Sequence, residues 1–216
     1  MGKATKKTKT SLRRSPTQER GQQRIEKLLD AAAELFAEVG YEAATTNAIA
    51  ERAKTSIGSL YQFFPDKDAI LSAVVSRYLT ELRQVHDGLF TEEFDRLPLP
   101  EVFDRVVDTL AEFHRRRPGF RPLFFGSTTS PQLAAAAAEF HQECIGRVDR
   151  SIAKRAPQLD AARRRLYATM NVEVVKALLP LSESGSEAFR RQVLGEIKKL
   201  LLAYMRQAME ESSGRR

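Results

Sequence analysis

Residues 45–67 read TTNAIAERAKTSIGSLYQFFPDK, and their spacing decides the fold. Thr45 has the side chain of a good N-cap, and Ile49, Ala50 and Ala53 behind it give a short helix with one buried side. Lys54-Thr55 makes a turn. Ser56 caps a second short helix, roughly 57–64, whose Leu60 and Phe64 lie four apart and face inward. Pro65 ends that helix and Asp66 caps the next. A helix that is short, polar outside and pinned from behind suits the major groove of B-DNA.

Working outward, Ile25, Leu28, Leu29, Ala32, Leu35, Phe36 and Val39 recur at the helical period, and Gly40 follows as a C-cap. After Asp66, the stripe Ile70, Val74, Tyr78, Leu82 predicts a helix with its limit near Gly88. Beyond the Leu97–Pro100 linker, Val102, Val106, Leu110 and Phe113 predict a helix stopping at Pro118-Gly119. A long helix follows from Pro131 to Pro157. Two more carry Leu166, Met170, Val174, Leu178 and then Phe189, Val193, Ile197, Leu201, Tyr204. No strand-type alternation or internal repeat stands out. The expected fold is all-α, with a three-helix head over residues 22–84 and a larger helical domain over 85–216.

The 216 residues carry 35 basic and 28 acidic side chains, net +7. Residues 1–24 hold eight basic groups and one acid, so the excess lies there and the remainder balances. Residues 1–21 are expected to be a disordered basic arm, either a solvated tail or a strand laid along phosphates. The body cannot rely on bulk charge to bind nucleic acid. No apolar run reaches the ~18 residues of a membrane span, and no signal-type segment opens the chain. One cysteine, Cys144, excludes an intrachain disulfide. These features point to a soluble cytoplasmic protein.

The chemistry of the central stretch follows from its residue types. Gln62 can pair with adenine, Ser59 can donate or accept, and Ile57 and Phe63 can pack on thymine methyls. Gly58 would let backbone approach the DNA. Thr45 offers a hydroxyl and free N–H groups to a phosphate, Tyr61 a second hydroxyl. Lys67 is awkward for the helix dipole in a first turn and makes more sense gripping phosphate.

The pattern Ala44-Thr45, Ile49-Ala50, Ala53, Ser56–Tyr61, Phe64–Lys67 and Ile70-Leu71, behind Leu35-Phe36 and Gly40-Tyr41, resembles the TetR family of transcriptional regulators. The resemblance covers roughly residues 22–82. It implies a helix-turn-helix head whose third helix reads DNA, with Thr45, Tyr61 and Lys67 as phosphate contacts. Ile57, Ser59, Gln62 and Phe63 match base-reading positions. Lys54 and Thr55 depart from the family, which usually has glycine and valine in the turn; glycine there relieves a left-handed backbone.

The resemblance also implies a C-terminal domain that dimerises and often holds a small effector. The last two helices, about 159–179 and 187–209, are expected to form a homodimer that reads a palindromic operator in double-stranded DNA. Candidate lining for a largely apolar effector is Phe113, Phe124, Phe140, His141, Cys144, Met170, Asn171 and Val174. The plain alternative for each aromatic is a core position. His141 and Cys144, three apart, are two donors without a third, so no metal is assigned, and no cofactor is expected. No catalytic set or phosphate loop points to an enzyme. The leading expectation is a repressor released by a small molecule. The alternative is the same fold without an effector, controlled by a protein partner.

Overall fold

The computed structural model describes residues 16–117 and 131–213. Among these, helices account for all the regular structure. They are α1 (Pro16–Ala43), α2 (Thr46–Arg52), α3 (Ile57–Phe63), α4 (Lys67–Leu89), α5 (Glu92–Arg96) and α6 (Leu99–Arg115). After the segment 118–130 come α7 (Pro131–Arg155), α8 (Ala161–Leu178), a 3₁₀ turn over Leu179–Glu183, and α9 (Glu187–Ser213).

The head forms as its caps dictate. Thr45 Oγ1 accepts from Ala48 N at 3.2 Å, Ser56 Oγ from Ser59 N at 3.1 Å, and Asp66 Oδ1 from Ala69 N at 2.7 Å. Each satisfies an N–H that the first helical turn leaves free. Helical geometry in α1 breaks at Gly40, with φ 81° and ψ 163°, a conformation open to glycine. Phe36, Ile49 and Leu60 are fully buried between α1, α2, α3 and α4. Cutting Leu60 to alanine would cost ~2–5 kcal/mol.

The turn between α2 and α3 is a Schellman motif. Thr55 N donates to Ala50 O at 2.9 Å and Lys54 N to Glu51 O at 3.0 Å. That geometry needs a left-handed residue between Ala53 and Thr55, and Lys54 takes it with φ 52°. The chain therefore keeps the tight turn without glycine, at the steric cost its β-carbon carries there.

Three boundaries differ from the sequence expectation. Helix α1 begins at Pro16, so 16–21 are helical rather than part of a disordered arm; proline suits a first helical position. The expectation for residues 1–15 lies outside the described residues. Helix α6 ends at Arg115, before Pro118. The short α5 was not foreseen, because five residues are too few to show a period; Thr91 caps it, Oγ1 accepting from Phe94 N at 3.3 Å.

Two apolar clusters organise the whole. One joins the head to the larger domain, running from Leu28 and Phe36 through Val74 and Leu82 to Phe113 and Phe140. The other fills the larger domain with Val107, Ile145, Ile152, Ala168, Ile197 and Leu201. Helix α4 belongs to both regions. It starts in the head and spans ~35 Å at 1.5 Å per residue.

Candidate nucleic-acid interface and internal cavity

The outer face of the head gathers most of the predicted contact residues. Thr45, Ile57, Tyr61 and Gln62 are exposed, Tyr61 at 51%. Ser59 and Phe63 are half-buried, and Phe63 packs against the head core. Ser59 Oγ accepts from Ser56 Oγ at 3.0 Å. A β-carbon built on Gly58 would meet nothing within 4 Å, so the folded chain has no need of glycine there. Thr46, which the spacing did not single out, places Oγ1 3.1 Å from the Tyr61 hydroxyl. The two hydroxyls form a pair on the rim of α3 that could share one phosphate.

Lys67 occupies a different position from a free phosphate contact. Its ammonium donates to three carbonyls at the end of α1: Tyr41 at 2.8 Å, Ala44 at 3.0 Å and Glu42 at 3.2 Å. It also lies 4.3 Å from the centre of the Tyr41 ring. Tyr41 in turn donates its hydroxyl to Asp68, and burial with that acceptor raises its pKa. Lysine is thus tolerated in the first turn of α4 because it caps the last turn of α1.

Below the head, the larger domain holds a partly open cavity of about 470 Å³. Leu82, His86 and Leu89 of α4 form one wall, and α6, α7 and α8 supply most of the others. Of the predicted lining, Phe140, His141, Cys144 and Asn171 reach it. Phe113, Met170 and Val174 do not line it, and Phe124 lies outside the described residues. Phe113 is instead buried in the core shared with the head. Met170 is 42% exposed, and Val174 packs in the second cluster. Helix α8 is apolar on two faces, and Asn171, Val172 and Val175 are turned to the cavity, with Leu179 of the following 3₁₀ turn. Periodicity alone ranks neither face first.

Most of the wall was not proposed from the sequence, and two of its polar residues, His86 and Arg155, stand out. His86 continues the stripe Ile70, Val74, Tyr78, Leu82 by one further step of four, so the spacing held the signal. Its Nδ1 lies 3.7 Å from Cys144 Sγ, and burial pushes its pKa down to about 4. Burial also pushes the Cys144 thiol up to about 12, so both groups are neutral near pH 7. Arg155 looked like an ordinary basic residue in a last helical turn, yet it too lines the cavity.

The head and cavity are mechanically joined through α4. Arg83 of α4 grips Glu143 of α7 with two bonds of 2.9 Å, and Asp87 pairs with Arg147 at 2.6 Å. Arg117, just past α6, reaches Glu81 at 2.7 Å.

Residues 28–74 match the description "Bacterial regulatory proteins, tetR family", and residues 98–205 match "Tetracyclin repressor-like, C-terminal domain". The chain belongs to the TetR family of transcriptional regulators. The activator FasR of Mycolicibacterium smegmatis is 33% identical over 143 residues, covering 65% of this chain and 64% of that one. The repressor KstR of Rhodococcus jostii is 40% identical over 55 residues, 26% of each chain. The matched parts thus span less than two thirds of these TetR relatives. Among solved structures, a SmeT–triclosan complex matches with TM-score 0.65 and 22% identity over 87% of this chain and 91% of that one. The fatty acid degradation regulator FadR of Bacillus halodurans matches with TM-score 0.62 and 18% identity, over 83% and 94%. At these identities the likeness establishes the TetR fold. Among the described residues, no helix is long and apolar enough to cross a membrane.

Proposed function

We propose that this protein is a homodimeric repressor that reads a palindromic operator and is released when a small molecule fills the cavity. The observation that carries the reading is the unbroken course of α4. Its first residue, Lys67, holds the end of α1 in the head, and its last turns, at His86 and Leu89, wall the cavity. A ligand that shifts this end of α4 must tilt or slide the head, because Arg83–Glu143 and Lys67–Tyr41 leave little slack. Two recognition helices must sit about one DNA turn, ~34 Å, apart to engage both half-sites. A changed separation lowers affinity. That a structural neighbour carries triclosan supports a ligand-responsive mode.

On this reading Thr45, Tyr61 and Lys67 position the head on phosphates, with Thr46 beside Tyr61. Ile57, Ser59, Gln62 and Phe63 read bases. Lys67 would exchange one carbonyl for a phosphate oxygen or act through its charge. The dimer forms through α8 and α9. Leu166, Met170, Phe189 and Leu200 on these helices are each at least 42% exposed, a large apolar outlay for a surface without a partner.

Footprinting of DNA upstream of the protein's own gene tests this. A protected palindrome with half-sites one turn apart, bound by a dimer, is expected. A single protected half-site bound by a monomer would refute it. A Leu166→Glu/Leu200→Glu variant should be monomeric by sedimentation and bind that site much more weakly.

A further inference from the structure

His86 turns a hydrogen-bonding edge to the cavity that the fold leaves unspent. It stands in the last turn of α4, is 8% exposed, and lines the chamber. Its Nδ1 meets Cys144 Sγ at 3.7 Å. Among the described residues its Nε2 has no hydrogen-bond partner, and it is not one of the polar atoms sealed inside the packing. The free edge of the ring therefore opens on the cavity. Arg155 Nε and Asn171 Oδ1, by contrast, are sealed, although their side chains reach the wall.

The pairing with Cys144 fixes what that edge offers. Burial keeps the thiol protonated and the imidazole neutral near pH 7. A neutral imidazole has one N–H and one lone pair, and the lone pair is a better acceptor than a thiol sulfur. Cys144 S–H therefore donates to Nδ1, and the ring proton stays on Nε2. The edge facing the cavity is a donor. A molecule that takes the place of water there must bring an acceptor, or it leaves the donor bare in an apolar setting.

The rest of the wall specifies shape and charge. Phe90, Phe94, Phe103 and Phe140 all line it. The His86 ring lies 5.5 Å from Phe140 and 6.0 Å from Phe90, and Phe90 lies 5.2 Å from Phe94, each pair tilted. Such rings present edges and faces against which a further aromatic ring packs. The cationic groups of the wall already have counter-groups. Arg155 holds the carbonyls of Leu97 and Phe94 with the charge of Asp95 beside it. His141 and Lys176 meet Glu173 at 2.8 and 3.5 Å, and His114 meets Glu183 at 3.3 Å. An anion entering the chamber would lose its water and meet a neutral donor in exchange.

We propose that the cavity takes an uncharged aromatic carbonyl compound whose carbonyl oxygen accepts a hydrogen bond from His86 Nε2. Because His86 belongs to the last turn of α4, this bond attaches the ligand to the helix that leads to the head. The inference rests on the cavity being the effector site.

The test is equilibrium dialysis of the full-length protein against benzophenone, diphenylmethane, which lacks the oxygen, and 4-benzoylbenzoate, which adds a charge. Benzophenone should bind about fivefold more tightly than diphenylmethane, the worth of one ordinary hydrogen bond. It should bind at least about tenfold more tightly than 4-benzoylbenzoate. His86→Met should erase or reverse the preference for ketone over hydrocarbon; a preference that survives it overturns the role of His86. In the wild-type complex the carbonyl stretch of bound benzophenone should lie below its position in hexane. A stretch at the hexane position, or a ketone bound no more tightly than the hydrocarbon, overturns the carbonyl assignment while leaving the cavity a ligand site; neither reading needs a variant to fold. Equal or tighter binding of 4-benzoylbenzoate overturns the uncharged class. Binding of none of the three overturns both this inference and the effector reading beneath it.

Discussion

Lys67 Nζ lies 2.8 Å from the carbonyl oxygen of Tyr41, so the first residue of α4 closes the last turn of α1. Two further carbonyls, of Glu42 and Ala44, complete the ammonium's hydrogen bonds. The residue expected to hold DNA therefore also holds the head together. Lys67→Met keeps the stem and removes the cap. It should lower unfolding stability in urea by roughly 1.5–3 kcal/mol, the range for hydrogen bonds involving a charged group. Unchanged stability with weakened DNA binding would leave phosphate contact as its sole role.

Lys54 makes the opposite prediction. Its φ of 52° is the left-handed conformation that a β-carbon disfavours by ~1–2 kcal/mol. Lys54→Gly relieves that strain but loosens the unfolded chain. The net expectation is a gain of about 0.5–1 kcal/mol in urea denaturation. A loss of stability would mean the lysine side chain contributes something its exposed position does not suggest.

Gly58 separates the needs of folding from those of binding. Space for a β-carbon is open in the free protein, and glycine inside a helix costs roughly 0.5–1 kcal/mol relative to alanine. Gly58→Ala should raise the melting temperature and weaken operator binding. A variant that is more stable and binds equally well would show that the backbone of α3 does not approach the DNA closely at this point.

His86 makes stability depend on pH. Its folded pKa is pushed down to about 4 by burial, against 6.5 as the ordinary value. Between these values the unfolded chain binds a proton that the folded chain refuses. Stability therefore falls as pH drops from 6.5 and levels off near 4, by a total on the order of 3 kcal/mol. The contribution is fully present above pH 6.5. Denaturation curves from pH 7.5 to 4.5 check this, and His86→Met should remove that part of the slope.

The head was legible because its signals are local. A cap, a turn and an i, i+4 anchor each act within a few residues, and Thr45, Ser56, Asp66, Leu60 and Gly40 all do what their spacing indicates. Lys67 was legible as a misplaced cation, but its carbonyl partners come from 23 to 26 residues earlier, beyond any local pattern. The cavity was half legible for the same reason. Phe140, Cys144 and Asn171 share their apolar faces with the chamber, whereas Met170 and Val174 lie on the other apolar face of α8. Arg155 gave no sign, since the carbonyls it bonds, of Leu97 and Phe94, come from 58 and 61 residues earlier and only packing brings them to it.

The most direct test of the central claim, that α3 reads a palindrome with its outer face, is equilibrium binding to the footprinted fragment and to a scrambled sequence at several salt concentrations. Gln62→Ala should cost about 1–3 kcal/mol on the palindrome and little on the scrambled duplex. Tyr61→Ala should weaken both alike, as lost phosphate contacts do. Affinity for the palindrome that survives both substitutions unchanged would contradict the account.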